Sequence, residues 1–349
     1  TQAGGQTCTT GGLAGVASHV GRHSEACALT ALPDLFRMSA PQQQQQEQQP
    51  AVMQEQAEPQ SLGCAPATVP MLPVLPDMET LLFVDVDGVL NVAVRDPGCD
   101  PAAFSDDNLK LARKLAGQGK PLADRISAVA DRSLVAFREA GSYERFLTDD
   151  GDLSDLLVGR LAHLIEAAGH CSRIILASFW RRPQHIQRQR LLESRLTAQL
   201  GRPFSFDDHT NLREETGAAC RISTIGDYLE EYCRRQRGFY MRKVRVLVVD
   251  DFSATALRGL TCEGKTPIGS VEDAESYLLR RAGDGSGVLV RIIHTFEEFT
   301  AANGLQVSIG CGLRLDHLNR ALQFVGKGSL FNETVVEDEF CKEHDDAKC

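Results

Sequence analysis

The chain has no apolar run approaching the roughly 20 residues that a membrane-spanning helix needs, so insertion through a helix is not expected. It has no basic excess. Its 37 Lys and Arg stand against 47 Asp and Glu, a net charge of −10. That balance argues against a general binder of nucleic acid or of anionic membrane surfaces, and leaves room only for a local basic patch. Its 11 cysteines are an odd number, scattered without CxxC or the Cys/His spacing of a zinc site. They read as reduced thiols of an intracellular, cytoplasmic protein. No secretory signal accompanies the sequon Asn332-Glu333-Thr334. The segment before Glu25 is rich in Ser, Thr and Ala but poor in basic residues, so an organelle transit peptide stays open without being favoured. A Walker phosphate loop is missing, because Gly117-Gln118-Gly119-Lys120 lacks the earlier Gly and the Ser/Thr.

Composition divides what is present into three parts. Residues 1–78 carry the glutamine run Gln42–Gln46 and then a Pro/Gln/Glu-rich stretch to Pro76. Such a segment has too little apolar surface to offset its ordering entropy, and reads as a disordered tail. Residues 79–327 have the patterning of a folded domain. Residues 328–349 read as an acidic, mobile tail.

Within the domain, apolar runs alternate with amphipathic segments. Leu81–Val84 reads as a buried strand, followed by Asp85-Val86-Asp87-Gly88. Asp106–Glu139 has the apolar spacing of two helices separated near Gly117–Pro121, and Leu153–Ala168 that of a third. Arg173–Ala177 is a second buried strand, His185–Leu200 a helix, Gly201–Cys220 a loop and Arg221–Arg235 a further helix. Val244–Val249 and Val288–Ile293 are two more buried strands, and Leu313–Val325 is a last helix. Strands that are apolar on both faces and alternate with helices predict an α/β fold: a Rossmann-like parallel sheet with helices on both faces. Right-handed crossovers then bring all strand carboxyl ends to one edge. Asp85, Asp87, Ser178, Asp250 and Asp251 are expected to converge there, with strand alternation putting Asp85 and Asp87 on one side.

Phosphoryl transfer suits that set. A carboxylate attacking an anionic phosphate meets charge repulsion, which a divalent ion bridging both relieves. Magnesium takes oxygen ligands and keeps several waters, so few carboxylates suffice. Asp85 is the expected nucleophile and Asp87 the acid and then base. Asp250 and Asp251, with Asp85 and Asp87, are the expected metal ligands. Ser178 is expected to donate to a phosphate oxygen, and amides around Gly88 to form a phosphate-binding nest. Trp180 either stacks on a base or sugar of the substrate or packs under its loop, and packing is the commoner use. Arg181, Arg182, Arg188 and Arg190 form a basic cluster, more often a solvated helix face than a steering patch.

These residues resemble the haloacid dehalogenase (HAD) superfamily. DVDGVLN is similar to its first motif, Ser178 to the second and Asp250-Asp251 to the fourth. DVDGVLN, LIEAAGHCSRIILASFWR, the Arg221–Leu229 segment, VLVVDD and GLRLDHLNRAL together resemble the HAD domains of Swiss-army-knife RNA-repair proteins, over about Leu81 to Val325. The resemblance implies magnesium-dependent hydrolysis of a phosphate ester through an aspartyl-phosphate. It implies a third-motif cation, for which Arg221 fits by position and Arg181 or Arg182 are alternatives. It also implies that the insertion at about 94–150 is a small, partly helical cap, with a surface excursion as the alternative. Substrates would be phosphorylated small molecules, nucleotides or nucleic-acid ends. The alternative is a catalytically inactive HAD-like binding module carrying the Gln-rich tail. VLVVDDFSATALRGL also resembles the start of a receiver domain. A receiver needs a phospho-accepting Asp after its third strand and a later Lys, and here the next strand ends in His294 with little chain left.

Overall fold

The structure is a computed structural model that describes residues 78–96, 101–134, 139–148, 152–212, 218–236, 243–252, 261–262, 266–283 and 287–326. The expected tails, 1–78 and 328–349, lie essentially outside the described residues. The elements in chain order begin with strands β1 (Glu79–Val84), β2 (Ala93–Arg95) and β3 (Ala102–Ala103), then helices α1 (Asp106–Leu115), α2 (Pro121–Ala130) and α3 (Asp155–Ala168). They continue with β4 (Ser172–Leu176), α4 (Ile186–Leu200), β5 (Asp208–His209), α5 (Ala218–Gln236) and β6 (Val244–Asp250). A two-stranded hairpin, β7 (Thr261–Cys262) and β8 (Thr266–Pro267), precedes α6 (Val271–Ala282), β9 (Val288–His294), β10 (Phe296–Thr300), β11 (Gln306–Gly310) and α7 (Leu315–Phe324).

The main sheet is parallel and five-stranded, in the order β5-β4-β1-β6-β9. Strand alternation sorts its side chains into two cores. Leu82, Val84, Leu176, Leu247 and Val249 face α3, α4 and α7. Leu81, Phe83, Ile175, Val246 and Val248 face α5 and α6. This is why the central strands β1, β4 and β6 carry unbroken apolar runs, and the expected α/β sheet covered on both faces is the one observed. From β1 the chain runs outward through β4 to β5, then returns to the other side of β1 to form β6 and β9. The crevice at the carboxyl ends of β1 and β6 therefore lies at a switch point of the strand order, where open parallel sheets place ligands.

Three features differ from the sequence reading. The segment expected to be a loop, Gly201–Cys220, contributes the edge strand β5, too short to show any periodicity. Phe296–Thr300 and Gln306–Gly310 form an unexpected antiparallel pair, hidden because FEEFT and QVSIG mix charged and apolar residues. Third, the insertion is not simply a helical cap. Its helices α1 and α2 are present, but β2 and β3 pair with β11 to complete a four-stranded sheet, β10-β11-β2-β3. Val94, Phe104, Ile126 and Val129 bury against Val307 and Ile309 in a third core. Two short strands could not persist alone, so the insertion folds only with residues far down the chain.

Candidate active site

Asp85 follows the last residue of β1, and its backbone N–H donates to Val249 O on β6 at 3.0 Å. Asp250 closes β6 and Asp251 follows it. Carboxylate oxygens of these three residues lie within 4.8 Å of one another, and all three side chains are buried. Among the described residues this is the one group of His, Cys, Asp or Glu close enough to hold a metal ion.

Arg221, near the start of α5, reaches into the group. Its Nε donates to Asp250 at 3.0 Å and its Nη2 to Asp250 at 2.7 Å and to Asp251 at 3.2 Å. Nη2 also lies 3.1 Å from Asp85 Oδ2, without hydrogen-bond geometry. Asp85 Oδ1 accepts from the Val86 N–H at 2.8 Å, whereas the buried Oδ2 accepts from no donor. Burial, although Arg221 opposes it, raises the Asp85 pKa to about 8, with the charges of Asp250, Asp251 and Asp87 adding to the rise. Asp250, Asp85 and Asp251 in turn hold Arg221 protonated against the effect of its own burial.

A magnesium ion fits these residues on two counts. The donor set is all carboxylate oxygen, which suits a hard cation. The orphaned Asp85 Oδ2 is a buried acceptor aimed into the group. Arg221 carries the positive charge that the cluster requires in the present structure.

The turn after Asp85 is fixed by contacts that the sequence did not reveal. β1 stops at Val84, so the turn Asp87–Leu90, rather than strand alternation, sets the direction of Asp87. Gly88 has φ +80°, a conformation that L side chains rarely adopt. Its carbonyl accepts from the Thr295 hydroxyl at 2.9 Å and from the Gly312 N–H at 3.1 Å. Gly310 on β11 packs against the Gly88 backbone and the Asp251 carboxylate, so that a Cβ at Gly310 would overlap both. Arg95 on β2 donates to Asp251 Oδ2 at 2.6 Å. The second sheet therefore braces Asp251, and nothing in the isolated segments VAVRD or QVSIG signals that. Replacing Gly310 by Ala is expected to destabilise the protein by about 3 kcal/mol, because one of the two overlapping neighbours, the Gly88 Cα, is backbone and cannot yield. Urea unfolding measures this, and a variant as stable as the wild type would refute the close approach.

Asp87 lies beside the three-carboxylate group but outside it. Its Oδ1 accepts from Asn91 Nδ2 at 3.2 Å and its Oδ2 from Trp180 Nε1 at 3.0 Å. Burial raises its pKa, while these two hydrogen bonds pull the other way. Asn91 ends the DVDGVLN stretch, and nothing in the residues alone marks it for a role. Trp180 is almost fully buried, so the packing expectation holds, but its indole N–H also serves Asp87.

Ser178 follows the carboxyl end of β4, the strand beside β1. Its hydroxyl is buried and accepts from the Trp180 backbone N–H at 3.3 Å, capping the short turn Phe179–Arg181. Gly88's N–H, expected in a phosphate nest, donates to Asn91 Oδ1 at 2.8 Å. Of the candidate cations, Arg221 alone reaches the carboxylates. Arg181 directs its guanidinium to the carbonyls of Ala177 and Ser178. Arg182 lies over the Phe179 ring, 4.9 Å from its centroid. Arg188 lies over Trp180 and pairs with Asp152 at 3.1 Å. His209 is exposed on β5 and His163 is half-buried on α3.

Comparison of the chain with protein-family models, curated proteins and solved structures found no match.

Proposed function

We propose that the protein is a HAD-like, magnesium-dependent phosphohydrolase acting on a phosphate monoester. The observation that carries this reading is the buried group of Asp85, Asp250 and Asp251 at the switch point of a parallel sheet, with Asp85 Oδ2 left without a donor. Asp85, Asp250 and Asp251 would hold the metal. When bound, magnesium supplies the charge neutralisation that lets two anions approach.

The chain's own residues account for the remaining chemistry. Asp85, held at Oδ1 by the Val86 N–H, would act as the nucleophile toward phosphorus. As the phosphorus–oxygen bond to the substrate breaks, Asp87 gives its proton to the departing oxygen. Asp87 then takes a proton from the water that releases phosphate from Asp85. Thr295 and Gly312 hold the Gly88 turn that spaces the two carboxyls. Arg95 and Arg221 hold Asp251 and Asp250 in place. The direct test is turnover of 4-nitrophenyl phosphate with and without magnesium. Metal-dependent phosphate release is expected, and a folded, magnesium-binding protein inert toward a panel of phosphate esters would overturn the reading.

A second reading has one observation in its favour. Arg221 already fills the charge deficit of the three carboxylates, as it would in a scaffold that binds a partner and turns nothing over. Thermal melting separates the two. The folded-state pKa of Asp85 is raised from its ordinary 3.8 to about 8. Below pH 3.8 both states carry the proton and nothing is lost. Between these values the folded state keeps a proton that the unfolded chain releases, so this group's contribution falls as pH rises and is fully lost above about pH 8. Magnesium replaces that proton, so its stabilising shift is expected to be small at pH 5 and large at pH 8. A magnesium shift absent at both pH values would favour the scaffold.

A further inference from the structure

We propose that Trp180 and Asn91 are positioning residues that clamp the Asp87 carboxyl in the orientation from which it hands a proton to the leaving group. This rests on the phosphohydrolase reading and names the parts that make its acid step work.

The clamp is built from groups that cannot exchange roles. Indole Nε1–H is a donor only, and it lies 3.0 Å from Asp87 Oδ2. The Asn91 amide is fixed at both ends. Its Oδ1 accepts from the Gly88 N–H at 2.8 Å, which forces Nδ2 to face Asp87 Oδ1 at 3.2 Å and the Asp152 carbonyl at 2.8 Å. Each Asp87 oxygen therefore has one protein donor, and the carboxyl plane is set by two rigid groups from separate elements. Trp180 is itself held. It is 1% exposed, its backbone N–H donates to Ser178 Oγ, and the Arg188 guanidinium lies 5.6 Å from its ring centroid. Arg188 in turn pairs with Asp152 Oδ1 at 3.1 Å. Asp152 thus ties both arms of the clamp, through its carbonyl to Asn91 and through its carboxylate to the cation over Trp180.

The step balances as follows. An oxygen lone pair of Asp85 forms a bond to phosphorus. The electron pair of the phosphorus–ester oxygen bond moves to the ester oxygen, and that oxygen takes the proton of the Asp87 carboxyl to leave as an alcohol. The need for the proton depends on the leaving group. A nitrophenolate departs without one, whereas an alkoxide does not. A misaligned Asp87 should therefore slow alkyl phosphates and spare nitrophenyl phosphate, a pattern that a merely structural role for Trp180 would not produce.

The experiment compares the full-length wild type and Trp180→Phe on a simple alkyl phosphate and on 4-nitrophenyl phosphate, both with magnesium. Phe keeps an aromatic ring in the slot and removes the N–H together with part of the indole volume, a packing loss that weighs equally on both esters. A fall in kcat/KM of about 10-fold or more on the alkyl ester, with much less change on the nitrophenyl ester, is expected, because kcat/KM reports formation of the aspartyl-phosphate and not its hydrolysis, which Asp87 serves equally for both esters. Equal losses on both substrates, or no loss on either, would overturn the clamp. Should Trp180→Phe fail to fold, Asn91→Ser removes the donor to the other Asp87 oxygen and is read by the same split. Wild-type protein inert toward both esters would instead overturn the phosphohydrolase reading, so the two failures are told apart.

Discussion

Asp85→Asn is expected to lower magnesium-dependent phosphate-ester turnover by on the order of 10⁴-fold or more, while leaving the protein folded. The amide has the shape of the carboxyl, and its oxygen can still accept from the Val86 N–H, but it is not a competent nucleophile toward phosphorus. The fold does not depend on the lost charge. Asp85 is buried, its ionisation is opposed by burial and by Asp250 and Asp251, and one of its oxygens receives no hydrogen bond. Replacing it by a neutral group relieves repulsion inside the group. The metal-free variant should therefore melt at or above the wild-type temperature at pH 8. Residual turnover and melting temperature are measured on the same preparation. Substantial turnover retained by a folded Asp85→Asn protein would rule out the aspartyl-phosphate route.

Arg221→Met should have the largest effect on stability, and the effect should depend on metal. Arg221 contacts Asp250 and Asp251 directly and lies 3.1 Å from Asp85 Oδ2. Removing it leaves Asp250 without a counter-charge and Asp251 with Arg95 alone, a loss of about 3 to 5 kcal/mol when one partner of a buried ion pair is deleted. Methionine fills much of the arginine volume, so little of this loss is cavity. The loss should deepen as pH rises, because protonating the carboxylates is the only relief left to the metal-free variant. Magnesium should restore most of it. A ligand that binds only the folded state at 100 times its dissociation constant adds about 2.7 kcal/mol. Urea unfolding with and without magnesium measures both effects. A loss that magnesium leaves untouched would show that the carboxylates do not form a metal site, and would favour the scaffold reading.

Much of the fold could be read from the chain because the strands are buried on both faces. The apolar residues of LLFV, RIILA and VRVLVV follow one another for a local reason: each packs against one of two helix layers. The acids at their ends were visible for the same local reason, since Asp85 and Asp250 terminate apolar runs. Asn91, Arg95, Thr295 and Gly310 were not legible as site residues. Each acts on a partner that only the fold brings near. Thr295 holds the carbonyl of Gly88, and Gly310 gives Asp251 and Gly88 room to meet. The antiparallel sheet was hidden likewise, because β2 and β11 are short and find their register only against each other.

The sequence by itself determined the parallel α/β architecture and the acidic strand ends. Those features follow from the period of side-chain burial and from composition, which act over a few residues. The tertiary structure alone decided the strand order that puts β1 beside β6. It also decided the choice of Arg221 over Arg181 and Arg182 as the cation among the carboxylates, the clamp on Asp87, and the joining of the insertion to β11. Those features rest on pairings between residues far apart in the chain, whose geometry is fixed only when the two cores and the second sheet close around them.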